Sequence, residues 1–558
     1  MSENKKFTRR SFFLLSLKTA LFALLGINFY NIQILTGFKY KVLSDQNRIR
    51  VNILQPPRGI ITDRNNEILV HNAFSYTASI DTTSNLDDVL YELNKICTIQ
   101  SINIKKVENR SQSVLCNHLQ WSDVAKIESN IKLNEIIKIN PSYKRIYIYK
   151  HLLGYITGYT GIPNKTDIDK DNKDFVIGKN GLEMSCEDFL KGAYGIQKVE
   201  VNAFGNVIRE ISMQPSIQGN TIKSSIDLRI QKALHEINDG KQGIHIAMNI
   251  KTGEILGMYS FPGYDPNIFT TSIKTHQWNK FIQSPDKPLI NKSISSLYPP
   301  GSTFKMITLL AILQSNIAPK ESVFCSGEYK IGTRTLHCWK RYGHGYINAY
   351  NALENSCNIY FAVQSMKCGI DAIERIAKIF GLGHKTDIEL PFEVTGLIPN
   401  KHWKYEKYKK LWNIGDTVNT SIGQGYNLTT PIQLAVMTSR IASGMFVHPT
   451  ILCNQNNIFH NIDGIQKHHL HIVRESMYNV MRNHHWEGLK IAGKTGTAQV
   501  ISKRDAKGRF KDHSMFVGFA PYDDPQYNVI SIVENAGWGS DTALPMTKKI
   551  FQTLLSLK

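Results

Sequence analysis

The sequence predicts a multidomain α+β protein with an N-terminal transmembrane helix, an elongated strand-rich module and a C-terminal domain of mixed sheet and helix. Three observations predict this. An apolar run of membrane-spanning length occupies residues 11–30, short β-type runs broken by turn residues recur at 53–70 and 199–210, and strand-like and helix-like segments alternate from residue 221. At 558 residues the chain is too long for one ordinary domain. The expected division is a cytoplasmic tail at 1–10, the anchor at 11–30, the strand-rich module at 31–220 and the C-terminal domain at 221–558.

The anchor "SFFLLSLKTALFALLGINFY" carries one charge, Lys18, close enough to its start to reach the headgroups. Lys5, Lys6, Arg9 and Arg10 precede it, so the positive-inside rule keeps the N-terminus in the cytoplasm and puts the rest of the chain outside. No small-x-small cleavage site follows, which favours an uncleaved anchor over a removed signal. "TRRSFFL" also resembles a twin-arginine export signal, and either route gives the same topology.

Beyond the anchor, "ILQPPRGIITDRNNEILV" and "VEVNAFGNVIRE" read as strands, and "GLEMSCEDFLKG" between them as helix. "TIKSSIDLRIQKALHEI" then reads as strand and helix, and "GIHIAMNIKTGEILGMYS" as two strands joined at the turn "KTGE". The formal charge of +20 suits anionic surfaces, yet its lysines and arginines are scattered, with no basic tract interleaved with aromatics. Nucleic acid is therefore not an expected partner.

The chemistry is concentrated in "YPPGSTFK", residues 298–305, which runs into the apolar "MITLLAIL". Pro-Pro-Gly predicts a sharp turn, Ser302 reads as the cap of the following helix, and Lys305, three residues on, shares its face. One Ser-x-x-Lys is weak evidence, but Ser356-Cys357-Asn358 and Lys494-Thr495-Gly496 follow it in order. Together they supply a nucleophile, a base, a second hydroxyl and amide, and a cationic strand for a carboxylate. "GLKIAGKT", 488–495, also fits the phosphate-loop pattern, but a helical pattern precedes it and an extended one follows, the reverse of the required setting. The earlier Lys251-Thr252-Gly253 reads as a hairpin turn.

On these motifs the chain resembles the class B penicillin-binding proteins, the membrane-anchored peptidoglycan D,D-transpeptidases, from the anchor almost to the C-terminus. "RGIITDRNNEIL" and "GLEMSCEDFLKGAYGIQKVEVNAFGNVIRE" resemble the pedestal, or dimerisation-type, module. "KTGEILGMYSFPGYDPN", "GDTVNTSIGQGYNLTTPIQLA" and "FVGFAPYDDPQYNVISIVEN" resemble the penicillin-binding domain. "YPPGSTFK" and "GLIPNKHWK" resemble penicillin-binding protein 2, the cell-elongation type; no segment resembles a glycosyltransferase domain. The resemblance implies a serine β-lactamase-like domain, with a central antiparallel sheet flanked by helices. It also implies that Ser302 attacks the penultimate D-alanine carbonyl of a stem peptide with neutral Lys305 as base, its pKa lowered by burial and by Lys494. Ser356 and Asn358 would relay a proton and hold the peptide, and Lys494, Thr495, Gly496 and Thr497 would bind the terminal carboxylate. The backbone N–H groups of Ser302 and Thr497 would form the oxyanion hole. Implied partners are peptidoglycan stem peptides and β-lactams, the inner membrane, a glycan polymerase of the shape, elongation, division and sporulation family, and other elongation-complex proteins. Rival readings are a D,D-carboxypeptidase or β-lactam sensor on the same scaffold, or a non-catalytic activator of the polymerase.

The chemistry itself needs no cofactor, but Cys325, Cys338, His344 and Cys357 offer the three thiolates and one imidazole of a closed structural zinc set. In some elongation-type relatives Asp, Asp, His and Cys stand similarly around zinc, and cysteine replaces both aspartates here. The alternative is a Cys325–Cys338 disulfide beside a buried Cys357. Cys97, Cys116, Cys186, Cys368 and Cys453 form no readable pattern. Asp416 reads as a pocket wall or a turn residue, and Trp412 and Trp538 as groove lining or packing.

Overall fold

The computed structural model describes residues 9–38, 48–81, 112–134, 136–163, 176–202, 207–270, 275–453, 459–482, 486–498 and 512–556, with single residues between these ranges. Lys5, Lys6, Cys97, His485 and the side chain of Cys116 lie outside what is described. The chain divides into two units, Met1–Pro57 with Lys191–Gly219, and Arg58–Leu190 with Asn220–Lys558.

In the first unit, helix α1 (Arg9–Tyr30) has no buried residue, as expected of a helix whose apolar side chains find no protein core. It continues to Leu35 as a span of 27 residues that contains an 18-residue window of mean hydropathy 1.8, long and apolar enough to cross a membrane. The strands Ile49–Leu54, Gly195–Val201 and Val207–Gln214 form a three-stranded antiparallel sheet in that order.

In the second unit, the long strand Ile68–Asp81 pairs antiparallel with both Gln112–Leu119 and Ile137–Tyr147. Near it the carboxylate of Glu183, fully buried, is held by Arg58 and Arg145 at 2.8 and 2.7 Å.

The rest of this unit is built on one sheet. Its strands are β1 (Gly243–Asn249), β2 (Ile255–Phe261), β3 (Ala492–Ala498), β4 (His513–Ala520) and β5 (Tyr527–Val533). They lie in the order β2-β1-β5-β4-β3, and every neighbouring pair is antiparallel. Alternation along the strands explains the layers. Ile244, Ile246, Met515, Val517, Ile530 and Ile532 pack into one core with helices α3 (Lys305–Gln314), α4 (Asn358–Ile379) and α5 (Pro431–Ser443). Ala247, Phe516, Val529 and Val533 pack on the opposite face with α2 (Leu228–Asn238) and α6 (Ala543–Ser556). Residues 305–313 of α3 are all buried, which accounts for a helix apolar on every side.

The turn between β1 and β2 contains Lys251-Thr252-Gly253, and Gly253 has φ +77°. Gly493-Lys494-Thr495 lies inside β3 after a helix at Lys467–Arg482, and among the described residues no strand leads into it and no helix leaves it. The phosphate-loop pattern therefore lacks its setting.

Candidate active site

Ser302 sits in a 3₁₀ turn, Gly301–Phe304, that leads directly into α3. The sequence placed Ser302 as the helix cap. Instead the turn starts from Pro300, no side chain caps it, and the Ser302 hydroxyl is left for other partners. Gly301 makes the turn possible. Its φ is +53°, its N–H donates to Gly423 O at 2.9 Å, and a Cβ there would lie 2.6 Å from Thr497 O. Gly423, at φ +72°, faces Gly301 with the same lack of room. Two glycines thus let the serine turn, the 423–424 loop and β3 meet at backbone contact.

Lys305 is fully buried, and its Nζ donates to Ser356 O at 2.9 Å, to Ser356 Oγ at 3.2 Å and to Asn358 Oδ1 at 2.7 Å. Ser356 Oγ in turn donates to Ser302 Oγ at 3.2 Å. The helical spacing of Ser302 and Lys305 suggested direct contact, whereas the connection runs through Ser356. Burial lowers Lys305 to about 8. Lys494 is buried as well and is lowered to about 7, first by burial and then by the charge of Lys305. The repulsion expected to act on Lys305 is thus borne by Lys494.

Ser356 adopts φ +50°, so Ser356 and Asn358 both reach Lys305 while Cys357 points away. Cys357 is buried at the start of α4, where its sulfur accepts the N–H of Tyr360. Asn358 is held from its other end, its Nδ2 donating to His337 O at 3.1 Å.

Next to His337 is the Cys/His set. One ligand atom each from Cys325, Cys338, His344 and Cys357 lies within 4.8 Å of the others. His344 Nδ1 is 3.5 Å from both Cys325 Sγ and Cys338 Sγ. A tetrahedral zinc with metal–sulfur bonds of about 2.3 Å and a metal–nitrogen bond of about 2.0 Å separates S and N by roughly 3.5 Å, so the four residues fit the ion. The three cysteines are free thiols, and the Cys325–Cys338 disulfide is not formed. The Cys357 thiol and the N–H groups of Asn358 and Lys340 point at Cys338, which lies far below its ordinary value, while Cys357 is pushed up. His344 Nε2 is buried without a hydrogen-bond partner, and the Trp339 ring stands edge-on at 5.5 Å. Cys186, Cys368 and Cys453 are free thiols elsewhere.

Lys494, Thr495, Gly496 and Thr497 lie on β3, the edge strand of the central sheet. Lys494 Nζ donates to Thr495 O at 3.1 Å. The site includes residues the motifs did not name. Gln424 Nε2 lies 3.5 Å from Thr497 O, and Gly539 brings its N–H to 3.5 Å from Thr497 Oγ1, where a Cβ would be 2.4 Å from Gly496 O. Below the serine turn, Glu534 holds Tyr298 Oη at 2.5 Å and Lys292 Nζ at 2.7 Å. Glycines flanking a motif were the available signal for the first group, and the Glu534 contacts carry no short-range signature. Asp416 caps the helix Ile414–Ser421 with Asn413 and pairs with Lys404, which makes it a turn and packing residue. Trp412 donates to Thr417 Oγ1, and Trp538 is 62% exposed.

Comparison with known proteins identifies the family and the fold. The family model for the penicillin-binding protein transpeptidase domain matches residues 243–556, and that for the penicillin-binding protein dimerisation domain matches residues 53–224. The peptidoglycan D,D-transpeptidase MrdA of Haemophilus influenzae is 30% identical over 100% of this chain and 93% of its own length. Among solved structures, PBP2 from Helicobacter pylori, in complex with MreC, superposes with a TM-score of 0.82 at 27% identity, covering 91% of this chain and 99% of that one. A chain of a peptidoglycan synthase complex that coordinates polymerization and crosslinking gives a TM-score of 0.72 at 25% identity, covering 99% of both. Domain models, full-length relatives and solved structures agree, and the chain belongs to the penicillin-binding proteins of the D,D-transpeptidase family.

Proposed function

We propose that this protein crosslinks peptidoglycan during cell-wall elongation through an acyl-enzyme on Ser302, and that β-lactams acylate the same residue. The observation that carries the reading is the hydrogen-bond chain from Lys305 through Ser356 to Ser302, closed by Asn358 on one side and faced by Lys494 on the other. Neutral Lys305 takes the Ser302 proton through the Ser356 hydroxyl, and Ser302 Oγ attacks the penultimate D-alanine carbonyl. The tetrahedral oxyanion is received by the N–H groups of Ser302 and Thr497, which the Gly301 contact holds together. The peptide C–N bond breaks, and terminal D-alanine leaves with the proton. An amine of a second strand then attacks the ester. The C–O bond to Ser302 breaks, an amide forms, and a proton returns to Ser302 Oγ by the same route. Protonated Lys494, with Thr495, Gly496 and Thr497, holds the donor's terminal carboxylate, and edge strand β3 accepts the peptide as an added strand.

Cys325, Cys338, His344 and Cys357 would hold a structural zinc ion. Through Cys357 such a site would brace the segment that carries Ser356 and Asn358. Residues 31–220 act as pedestal and 221–558 as transpeptidase domain. With residues 1–10 in the cytoplasm and 11–30 in the inner membrane, the catalytic domain is periplasmic. The MreC complex and the synthase complex of the relatives support elongation-complex partners, including a glycan polymerase of the shape, elongation, division and sporulation family.

The test is intact mass after exposure to benzylpenicillin, run beside Ser302→Ala. One slowly released adduct, lost in the variant, is expected. A folded wild type that takes no adduct overturns the reading, and rapid release makes the protein a β-lactamase instead.

A further inference from the structure

Transpeptidation needs two peptides, and the residues described so far receive only the donor. The side of the site opposite β3 is formed by Ser356 and Asn358, and outside them lies the lobe that carries the Cys/His set. Two bonds join this lobe to the motif. His337 O accepts from Asn358 Nδ2 at 3.1 Å, and Trp339 Nε1 donates to Asn355 O at 2.9 Å. The lobe is thus seated on the motif and not merely near it in sequence.

Its outer surface has an unusual composition. Residues 326–346 contain Lys330, Arg334, Lys340 and Arg341 against a single carboxylate, Glu328, which faces His337 at 4.0 Å. All four cations are exposed, and among the described residues none of them has an ion-pair partner. Many lysines elsewhere do find one. Lys367, Lys378, Lys401, Lys404 and Lys490 each pair with an acid, although four of the five are exposed. Among the cations stand two exposed rings, Trp339 at 58% and Tyr342 at 88%, the second with Arg341 over its face at 5.9 Å. Lys330 and Arg334 flank the tip of the hairpin formed by Glu328–Ile331 and Arg334–His337, while Lys340 and Arg341 follow Cys338. The surface is therefore cationic and aromatic on a lobe that these two bonds seat next to the residues that must admit a second nucleophile.

We propose that this lobe is the docking ledge for the acceptor strand, an acidic peptide whose carboxylates are held by Lys330, Arg334, Lys340 and Arg341 while its amine reaches the Ser302 ester. The proposal rests on the transpeptidase reading above and adds the second substrate to it. Charge complementarity selects the occupant. The donor's terminal carboxylate is received on the β3 side before acylation and departs with D-alanine, so the unneutralised cations across the site remain for the other strand.

The experiment uses the full-length protein in detergent, a thioester donor peptide, and an acceptor peptide supplied either with free carboxylates or with those carboxylates amidated. The variants are Lys330→Glu/Arg334→Glu and Lys340→Glu/Arg341→Glu. Benzylpenicillin acylation, which needs no second strand, is read on the same samples to establish that they are folded. For the free-carboxylate acceptor, each double variant is expected to raise the acceptor KM by about tenfold and to flatten its dependence on salt. For the amidated acceptor the variants and wild type should match. Equal acceptor KM values in all proteins overturn the ledge. So does a loss that is the same with both acceptors, or one that falls on donor acylation, since the latter assigns the charges to the donor. Failure of wild type to acylate at Ser302 is a different result, because it removes the transpeptidase reading itself.

Discussion

The two buried lysines predict the shape of the pH profile for acylation. Burial holds Lys305 at about 8, and burial plus the Lys305 charge holds Lys494 at about 7. Groups this close titrate as a pair, so the first proton leaves near pH 7 and the second near pH 8. In the proposed mechanism the productive form has one proton, with Lys305 neutral as base and Lys494 charged for the carboxylate; since Lys494 has the lower value, this is the minor arrangement of the one-proton form, and it stays a constant fraction of that form at every pH. Acylation draws on that arrangement because the Lys305 amine, not that of Lys494, lies on the relay to Ser302 through Ser356. With apparent values of about 7 and 8, the one-proton form makes up about 60% of the protein at pH 7.5 and about 9% at pH 6 or pH 9.

The second-order acylation rate with benzylpenicillin, followed by stopped flow, is therefore expected to peak near pH 7.5 and to fall about sevenfold by pH 6 and by pH 9. The limbs have separate causes. The acid limb reports the base, while the alkaline limb reports Lys494 and its grip on the ligand carboxylate. Converting that carboxylate to an ester should lower the rate and abolish only the alkaline limb. A flat profile, or an alkaline limb that survives esterification, refutes the assignment.

Gly301→Ala places a Cβ 2.6 Å from Thr497 O, so the turn must retreat by about 0.8 Å to reach ordinary contact, and a shift near 1 Å at reacting atoms costs about 100-fold. Acylation should fall by that order while the protein stays folded, as judged by circular dichroism. Cys338→Ser should weaken zinc binding more than tenfold by roughly the measure of lost second-shell contacts, whereas Cys325→Asp with Cys338→Asp should retain the ion; native mass spectrometry reads both. Lys305→Met should abolish acylation and change the pH dependence of stability. Because the folded value of Lys305 lies below the ordinary 10.5, the unfolded chain binds more protons between about pH 8 and 10.5, so this lysine lowers stability below that window and the cost fades as pH rises through it. Between pH 7 and pH 9.5 wild type should gain about 2 kcal/mol relative to the variant in urea titrations.

How much of this was legible in the sequence depended on the range of the interaction involved. Ser302, Lys305, Ser356, Asn358 and Lys494 were readable because their chemistry is stated by residue type, spacing and order. The central sheet flanked by helices came with the resemblance, and its two layers follow in the structure from alternation along β1, β4 and β5, which records which core each residue enters. The role expected of Ser302 as a helix cap was wrong, because capping is a local preference and the tertiary contact of Gly301 with Gly423 and Thr497 overrides it. The route from Lys305 through Ser356 was also hidden, since helical spacing shows which residues share a face but not which partner from a distant segment arrives first. Gln424, Gly539 and Glu534 act across intervals of 73, 42 and 236 residues, over which a single sequence carries no pairing signal.

The two halves of the site are positioned by different devices, and this gives their failures different signatures. On the β3 side, Gly301, Gly423 and Gly539 fix the backbone by close approach, so Thr497 and the serine turn move together or not at all. On the opposite side, Ser356, Cys357 and Asn358 are consecutive, and the φ of +50° at Ser356 sends the first and third to Lys305 and the second into the Cys/His set. Any change that opens that set displaces the segment that supplies all three acceptors of the Lys305 amine, Ser356 O, Ser356 Oγ and Asn358 Oδ1. Loosening the glycine junction should therefore lower acylation at every pH, because it misplaces the oxyanion donors without touching the lysines. Loosening the Cys/His set should in addition move the acid limb, because it changes what surrounds Lys305. A pH profile taken on Gly301→Ala and on Cys338→Ser separates the two devices, and an identical change in both would mean that the site moves as one body.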